Sequence, residues 1–256
     1  MPLVNTTTGD LFVMRRGSSG LPLIFIHGAG GSSRHWGRLL TLLPSTIQMI
    51  AVDLPGHGRS PASESISIAD YALHVMSLHQ ALGLPPALVV GHSMGGAIAL
   101  QIALTAPHIV AGLGLVSTAA RLRVASALLT GLAGDLAARR EAITTLVNWL
   151  FSPTASPDLI TDALAEYTAL DPELLLADLR ACDGFDLRSR LAEIRCPALV
   201  ITGTDDRLTP PKLGAELAAG LGVPHQLLTD VGHMPMLEAP DRLSDQLLHL
   251  LLACNK

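Results

Sequence analysis

The sequence predicts a doubly wound, mostly parallel α/β sheet with a helical insertion. Two observations lead to this fold class. Six apolar runs of strand length are continuous rather than alternating, which is typical of parallel strands covered by helices on both faces. Helical patterns separate these runs, except in one long segment where helix signals follow one another without a strand. Strands and helices in alternation indicate an open sheet with helices packed on both sides.

The strands are expected in a simple order along the chain. Two short runs at residues 3–6 and 11–15, separated by the turn Gly9-Asp10, predict an antiparallel hairpin at the edge of the fold. The apolar runs then predict the strands of the sheet, at residues 21–26, 47–52, 87–90, 113–116, 198–202 and 225–229.

Capping signals mark the helices between these strands. Ser67, followed three residues later by Asp70, forms a capping-box pattern ahead of an apolar helical stripe. Thr209 followed by Pro210 is typical of a helix start, because threonine caps helices and proline is favoured at the first helical position.

The insertion divides the chain into two expected units. Residues 1–119 and 190–256 form the core domain, and residues 120–189 form a helical cap. About four helices are expected there, and two of them have clear starts at Ser156-Pro157-Asp158 and Asp171-Pro172-Glu173. A helical insertion at this point is expected to cover the carboxyl edge of the sheet, where open α/β sheets bind ligands.

The composition is aliphatic and poor in charge, because 49% of the residues are apolar and only 15% are charged. A membrane span needs about 20 uninterrupted apolar residues, and no window of that kind is present, so none is expected. The first residues show no secretory pattern, which favours a cytoplasmic location. The net charge of −5, without like-charge blocks, argues against a nucleic-acid partner.

The strongest chemical signal is the segment Gly91-His92-Ser93-Met94-Gly95. It follows an apolar strand and precedes a helical run, which is the strand–turn–helix context that a G-x-S-x-G nucleophile turn requires. The flanking glycines fit this reading, because a Cβ at either position would collide with the backbone of such a tight turn. Ser93 is therefore the candidate nucleophile.

A serine hydroxyl needs a base, and the base needs an orienting carboxylate. Both are present after later predicted strands, as the neighbours Asp205 and Asp206 and then His233. All of these residues follow the carboxyl ends of parallel strands, where Ser93 also emerges. The chain order of nucleophile, acid and histidine suits this type of sheet. Spacing alone does not separate Asp205 from Asp206.

The combined motifs resemble the α/β-hydrolase superfamily over nearly the whole chain, and in particular its cap-bearing serine carboxylesterases. The resemblance implies that Asp206 rather than Asp205 is the catalytic acid. It also implies an oxyanion hole formed by the backbone N–H groups of Met94 and Ala29, with Gly30 as the alternative to Ala29. The matching segments are 27–31 with Trp36, 53–60, 91–95, 203–210, and Gly232-His233 with Glu238 and Pro240.

The expected activity is hydrolysis of carboxylic esters through an acyl-enzyme intermediate. The apolar cap favours small, largely apolar substrates. A homodimer formed through an exposed face of the cap is also possible. No metal or organic cofactor is expected. His27, His57 and His92 with Asp53 lack an established ligand spacing, so we interpret them as structural.

Three alternatives use the same residues. A small-molecule receptor could keep the hydrolase scaffold and turn over little or nothing, since a fold does not fix a function. A lactonase or a carbon–carbon bond hydrolase could use the same triad. The resemblance also disfavours haloalkane dehalogenases and epoxide hydrolases, because these families use an aspartate where this chain has Ser93.

Overall fold

The computed structural model describes residues 3–62 and 67–254. Its strands form one seven-stranded sheet and a separate two-stranded ribbon. The ribbon consists of β1 and β2, and the order across the large sheet is β3-β5-β4-β6-β7-β8-β9. The strands are β1 (Val4–Thr6), β2 (Gly9–Leu11), β3 (Val13–Arg16), β4 (Ser19–Ile26), β5 (Ile47–Val52), β6 (Ala87–His92), β7 (Val110–Val116), β8 (Ala198–Gly203) and β9 (His225–Leu228).

The large sheet is parallel except for its edge strand β3, which pairs antiparallel with β5. The mostly parallel α/β fold is therefore confirmed. The six apolar runs all form strands of this sheet. Alternate side chains of one strand enter different cores, since Ile24 and Ile26 belong to one apolar cluster while Leu23 and Phe25 belong to the other. Both faces of the sheet are therefore buried, which explains the continuous apolarity.

Ten α-helices lie within the described residues, and they divide between the two faces and the insertion. Helices α2, α3 and α8 contribute to the first apolar cluster, whereas α1 and α10 contribute to the second. The helices are α1 (Gly37–Leu42), α2 (Ile68–Ala81), α3 (Met94–Thr105), α4 (Ser126–Leu132), α5 (Leu136–Leu150), α6 (Pro157–Ala169), α7 (Pro172–Asp183), α8 (Pro211–Leu221), α9 (Pro235–Glu238) and α10 (Pro240–Cys254). None of them is both long and apolar enough to cross a membrane.

The expected edge hairpin is only partly present. Residues 11–15 do not form one strand, because the run breaks at Phe12. The Phe12 N–H donates to Ser60 Oγ at 2.8 Å, and the Phe12 carbonyl accepts from the Asp53 N–H at 3.0 Å. These bonds tie the backbone of Phe12 to the loop after β5. Leu11 therefore ends the ribbon, and Val13 begins the antiparallel edge strand of the main sheet.

Between β7 and β8 the chain forms the four helices α4 to α7, with no strand of the main sheet among them. The caps of α6 and α7 are as predicted. Ser156 accepts from the Asp158 N–H, Asp171 accepts from the Glu173 N–H, and a proline follows each cap. The capping box of α2 is also present, since Ser67 accepts from the Asp70 N–H at 3.1 Å.

The helix predicted to start at Thr209-Pro210 is present but begins one residue later. Helix α8 begins at Pro211, with Pro210 as its N-cap residue and no side-chain capping bond. The Thr209 hydroxyl instead donates to Asp206 Oδ2 at 2.8 Å. The Thr209 side chain therefore bonds to the Asp206 carboxylate and not to the first turn of α8.

Candidate active site

Ser93 occupies a strained turn between β6 and α3. Its backbone has φ of 52° and ψ of −114°, a conformation that a residue with a side chain rarely adopts. The strain is held in place by backbone bonds, because the Ser93 N–H donates to the Val116 carbonyl at 2.9 Å and the Ser93 carbonyl accepts from the Gly96 N–H at 2.9 Å. The turn points the Ser93 side chain into a cavity above the sheet.

The glycines on either side of Ser93 are required by close backbone approach. A Cβ on Gly91 would overlap with the Gly95 carbonyl oxygen, and a Cβ on Gly95 would overlap with the Ile26 carbonyl oxygen at the end of β4. Backbone atoms of this kind cannot move aside without disrupting the sheet. The prediction that only glycine fits these two positions is therefore supported by the packing.

Asp206 lies against His233, whereas Asp205 does not. The two carboxylate oxygens of Asp206 lie 3.0 and 2.9 Å from His233 Nδ1, and both side chains are buried. Asp205 is only partly buried, and its N–H donates to the Val231 carbonyl at 2.9 Å. Because a carboxylate only accepts, His233 Nδ1 carries a proton, and in the neutral imidazole the lone pair is then on Nε2. This is the tautomer that a general base requires.

The Asp206 carboxylate is held by donors from its own loop. Its Oδ1 accepts from the backbone N–H groups of Leu208 at 2.9 Å and Thr209 at 2.8 Å. Burial alone would raise the pKa of this carboxyl group, but the charge and hydrogen bond of His233, together with the bonds from Thr209, lower the pKa below its usual value. Asp206 is thus held as an anion beside the imidazole.

Glu238 secures the loop that carries His233. Its carboxylate accepts from the Gly232 N–H at 3.0 Å and from the Met234 N–H at 3.3 Å, on either side of the histidine. It also accepts from the Ser152 N–H at 2.9 Å, just beyond α5. The His233 N–H donates to the Leu150 carbonyl at 2.7 Å. The histidine loop is therefore fixed from both the core and the insertion.

Ser93 and His233 line one cavity of about 150 Å³ beneath the inserted helices. No hydrogen bond joins these two side chains within the described residues, which is common in unliganded sites where such bonds tighten when substrate binds. Of the four aromatic side chains that the insertion offers, Trp149 and Tyr167 line the cavity. The apolar lining also includes Leu122, Leu128, Leu146, Leu150 and Leu179.

A tight turn after β4 brings Ala29 to the same cavity. The Gly31 N–H donates to the Gly28 carbonyl at 3.1 Å, which closes the turn, and Gly30 has φ of +65°. The Gly30 N–H already donates to Asp178 Oδ2 at 2.8 Å, so it is not available to a ligand. Met94 is the first residue of α3, and a first helical N–H has no acceptor inside the helix.

The three histidines near the site have structural bonds. His92 Nε2 donates to the His233 carbonyl at 2.8 Å, and His27 Nε2 accepts from the Leu54 N–H at 3.1 Å. Burial lowers the pKa of both imidazoles well below the usual range. His57 instead lies 2.8 Å from Asp178. Within residues 3–62 and 67–254, no group of three potential ligands is placed to hold a metal ion.

Sequence reasoning missed Asp178, a buried carboxylate that joins the inserted helices to the loops near the site. It lies on α7, is fully buried, and accepts hydrogen bonds from Gly30, His57 and Tyr71. An aspartate in a helical pattern normally indicates a solvent-exposed face, so the residues around Asp178 in the sequence do not predict that it is buried. The bond from Thr209 to Asp206 was also missed, because the prolines after Thr209 favoured the interpretation of Thr209 as the start of a helix.

Comparison with known proteins identifies the family and the fold of the chain. The profile of the alpha/beta hydrolase family matches residues 23–246. The dihydrolipoyllysine-residue acetyltransferase component of the acetoin cleaving system of Pseudomonas putida is 32% identical over 92% of this chain. The match spans 64% of that protein, slightly less than two thirds of its length.

In two further comparisons, the match covers more than nine tenths of both proteins compared. The magnesium-chelatase 30 kDa subunit of Rhodobacter capsulatus is 32% identical, over 94% of this chain and 91% of that protein. The structure of a thermophilic esterase superposes with a TM-score of 0.87 at 29% identity, covering 99% of this chain and 97% of the other. The family and this structural neighbour support hydrolase activity. With the family profile matching most of its length, the chain belongs to the alpha/beta hydrolase family.

Proposed function

We propose that this protein is a serine hydrolase that cleaves carboxylic esters with small, apolar acyl groups. One observation carries the proposal. A buried Asp206–His233 pair and a serine on a strained turn meet at a single apolar cavity. We further propose that helices α4 to α7 act as a cap over the site, because they supply Trp149, Tyr167 and most of the apolar lining.

In the proposed reaction, His233 Nε2 takes the proton from Ser93 Oγ while the oxygen attacks the ester carbonyl carbon. The N–H groups of Met94 and Ala29 hold the resulting oxyanion. The commitment of the Gly30 N–H to Asp178 favours Ala29 over Gly30 for this role. His233 then protonates the departing alcohol, and the acyl group remains on Ser93.

Deacylation repeats the same steps with water. His233 accepts a proton from the water molecule, whose oxygen attacks the acyl carbon, and then returns that proton to Ser93 Oγ as the acid departs. Asp206 stabilises the imidazolium that forms in each half-reaction. The lowered pKa of Asp206 favours the carboxylate form that this role requires.

The cavity size supports a short acyl group. A volume of about 150 Å³ is close to that of a cavity that accepts a benzene-sized molecule. The side chains around it are mainly apolar, and leucine is the most frequent of them, with the exposed Arg123 and Arg207 as the charged exceptions. A small and apolar acyl group would fill this space without leaving a buried charge unpaired.

The nucleophile assignment is tested with an organophosphonate and intact-mass measurement. Wild-type protein is expected to gain one phosphonyl group, and Ser93→Ala is expected to gain none. Ser117→Ala is the matched control, because Ser117 is also a serine with positive φ at the end of a neighbouring strand. It should be labelled like the wild type. Labelling that survives Ser93→Ala would overturn the assignment.

The substrate class is tested by kcat/KM for p-nitrophenyl esters of increasing acyl length. Activity is expected to be highest for short apolar chains and to fall once the chain exceeds the cavity. Best activity on a carboxylate-bearing acyl group would show that the arginines, rather than the leucines, set the preference. A single burst of p-nitrophenol without turnover would indicate a binding protein, and higher kcat/KM on lactones would indicate a lactonase.

A further inference from the structure

The peptide between Ala29 and Gly30 is held at both ends by the cap. Its carbonyl oxygen, on Ala29, accepts from the Tyr167 hydroxyl of α6 at 3.1 Å. Its N–H, on Gly30, donates to Asp178 Oδ2 of α7 at 2.8 Å. Both cap side chains are buried, with Tyr167 4% and Asp178 0% exposed. Two different cap helices therefore fix the orientation of one peptide group of the core.

This peptide is the central one of the turn that carries Ala29. The turn is closed by the bond from the Gly31 N–H to the Gly28 carbonyl, and the positive φ of Gly30 makes it type II. Turn types I and II differ in the orientation of the central peptide, because ψ of the residue before it and φ of the residue after it each differ by about 150–170°. Rotation here would place the Ala29 carbonyl oxygen toward the Asp178 carboxylate. The Tyr167 and Asp178 bonds thus select one of two turn conformations.

The acceptor on α7 is itself held by hydrogen bonds from the core. His57 Nε2 lies 2.8 Å from Asp178 Oδ2 and His57 Nδ1 lies 3.0 Å from the Pro55 carbonyl. Both ring nitrogens face acceptors, so both carry protons and the imidazole is charged. The Tyr71 hydroxyl donates to Asp178 Oδ1 at 2.6 Å. A carboxylate surrounded by donors can only accept hydrogen bonds. Asp178 therefore binds the N–H end of the central peptide and would repel its carbonyl oxygen.

We propose that Asp178 and Tyr167 are positioning residues. By holding the peptide between Ala29 and Gly30 they fix the Cα of Ala29, and with it the adjoining peptide between Gly28 and Ala29, whose N–H donates to the oxyanion. This inference rests on the proposed function. It means that the oxyanion hole is complete only when α6 and α7 are docked on the core. A residue that acts in this way should affect the rate of the chemical step much more than the binding of the substrate.

The test compares Tyr167→Phe and Asp178→Asn with Glu166→Gln. Glu166 is the matched control because it lies on the same helix as Tyr167 and also joins cap to core, through His35 Nε2 at 3.2 Å, without touching the turn. We expect Tyr167→Phe and Asp178→Asn to lower kcat for a short p-nitrophenyl ester by about tenfold or more, against the 10²–10³ lost with a whole oxyanion donor. KM should change by less than about threefold, and Glu166→Gln should leave both constants near their wild-type values.

Two further measurements separate positioning from general damage. The inhibition constant of n-butylboronic acid, which adds to the serine oxygen and mimics the tetrahedral intermediate, should rise in parallel with the loss of kcat. The double variant should lose less than the product of the two single losses, because both side chains act on one peptide. Should Asp178→Asn fail to fold, Tyr167→Phe alone decides the question, since it removes one hydroxyl and keeps the ring.

The proposal would be overturned by a kcat of Tyr167→Phe within about threefold of the wild type. An equal loss in Glu166→Gln would also overturn it, because the cause would then be a loosened cap. In either case Ser93 would still be labelled by the phosphonate, so the proposed function would stand. Absence of Ser93-dependent labelling and turnover in the wild type would overturn both.

Discussion

The two sides of the site are held in different ways. On the acid–base side, Thr209 and Asp206 are three residues apart and Asp206 and His233 are 27 apart. On the oxyanion side, Gly30 and Asp178 are 148 residues apart, and Ala29 and Tyr167 are 138 apart. The first side is built from neighbouring core loops that also bond to Leu150 and Ser152, whereas on our proposal the second is held by Tyr167 and Asp178 of α6 and α7. Damage to the cap should therefore affect the two sides unequally.

The largest effect is expected on the acid–base side. Asp206→Asn should lower kcat by about 10⁴, by analogy with serine-protease triads, because the amide no longer holds His233 in the productive tautomer. Asp205→Asn is the matched control, since it changes the adjacent residue, which makes no contact with the imidazole recorded in the structure. Steady-state kinetics on one ester decide between them. A larger loss in Asp205→Asn would refute the assignment of the acid.

An intermediate effect is expected from Gly30→Ala on the oxyanion side. The positive φ of Gly30 disfavours alanine by roughly 1–2 kcal/mol, and the new Cβ would lie 2.9–3.0 Å from Leu170, Leu175 and Tyr167 of the cap. The turn should therefore shift away from these side chains and move Ala29, whose N–H is the proposed oxyanion donor, and kcat should fall by about tenfold or more.

Gly83→Ala is the control for Gly30→Ala. Gly83 also has positive φ, of +57°, but a Cβ there meets no atom within 4 Å. It should reduce the free energy of unfolding by roughly the same 1–2 kcal/mol while kcat stays unchanged. Urea denaturation and ester kinetics measure the two quantities. Equal losses of kcat in the two variants would show that stability, rather than the turn, controls the rate.

The smallest effect is a pH dependence of stability from the His57–Asp178 pair. Burial disfavours the charged imidazole, but the hydrogen bond and charge of Asp178 outweigh it, so the pKa of His57 is raised above its usual value. The group binds its proton more tightly when folded. Its stabilisation is therefore complete below about pH 6.5, the usual histidine pKa, and is lost as pH rises through the raised value.

The measurement is urea denaturation of the wild type and Asp178→Asn between pH 6 and 9. The difference in the free energy of unfolding should be largest at pH 6 and should shrink as pH rises. His57 also faces Asp53, which favours its charge, and His27, whose pKa is lowered partly by His57. Tyr71→Phe is the control, because it removes one bond to Asp178 and keeps the ion pair. A difference that grows with pH would contradict the charged state of His57.

Much of the acid–base side could be predicted from the sequence. The glycines around Ser93 and the strand before it are local signals, because a strained turn needs small neighbours next to it in the chain. Asp206 was favoured over Asp205 by resemblance alone. The edge strand was predicted less well, because the break at Phe12 depends on Ser60, which is 48 residues away.

The sequence by itself determined the α/β class, the parallel strands, the four inserted helices and the residues that the proposed chemistry needs. These follow from periodicity, caps and short motifs, which act between near neighbours. Only the tertiary structure decided that Asp206 faces His233, that Gly30 is committed to Asp178, and that Trp149 and Tyr167 line the cavity. A buried carboxylate needs donors around it, and the donors of Asp178 come from segments far apart in the chain.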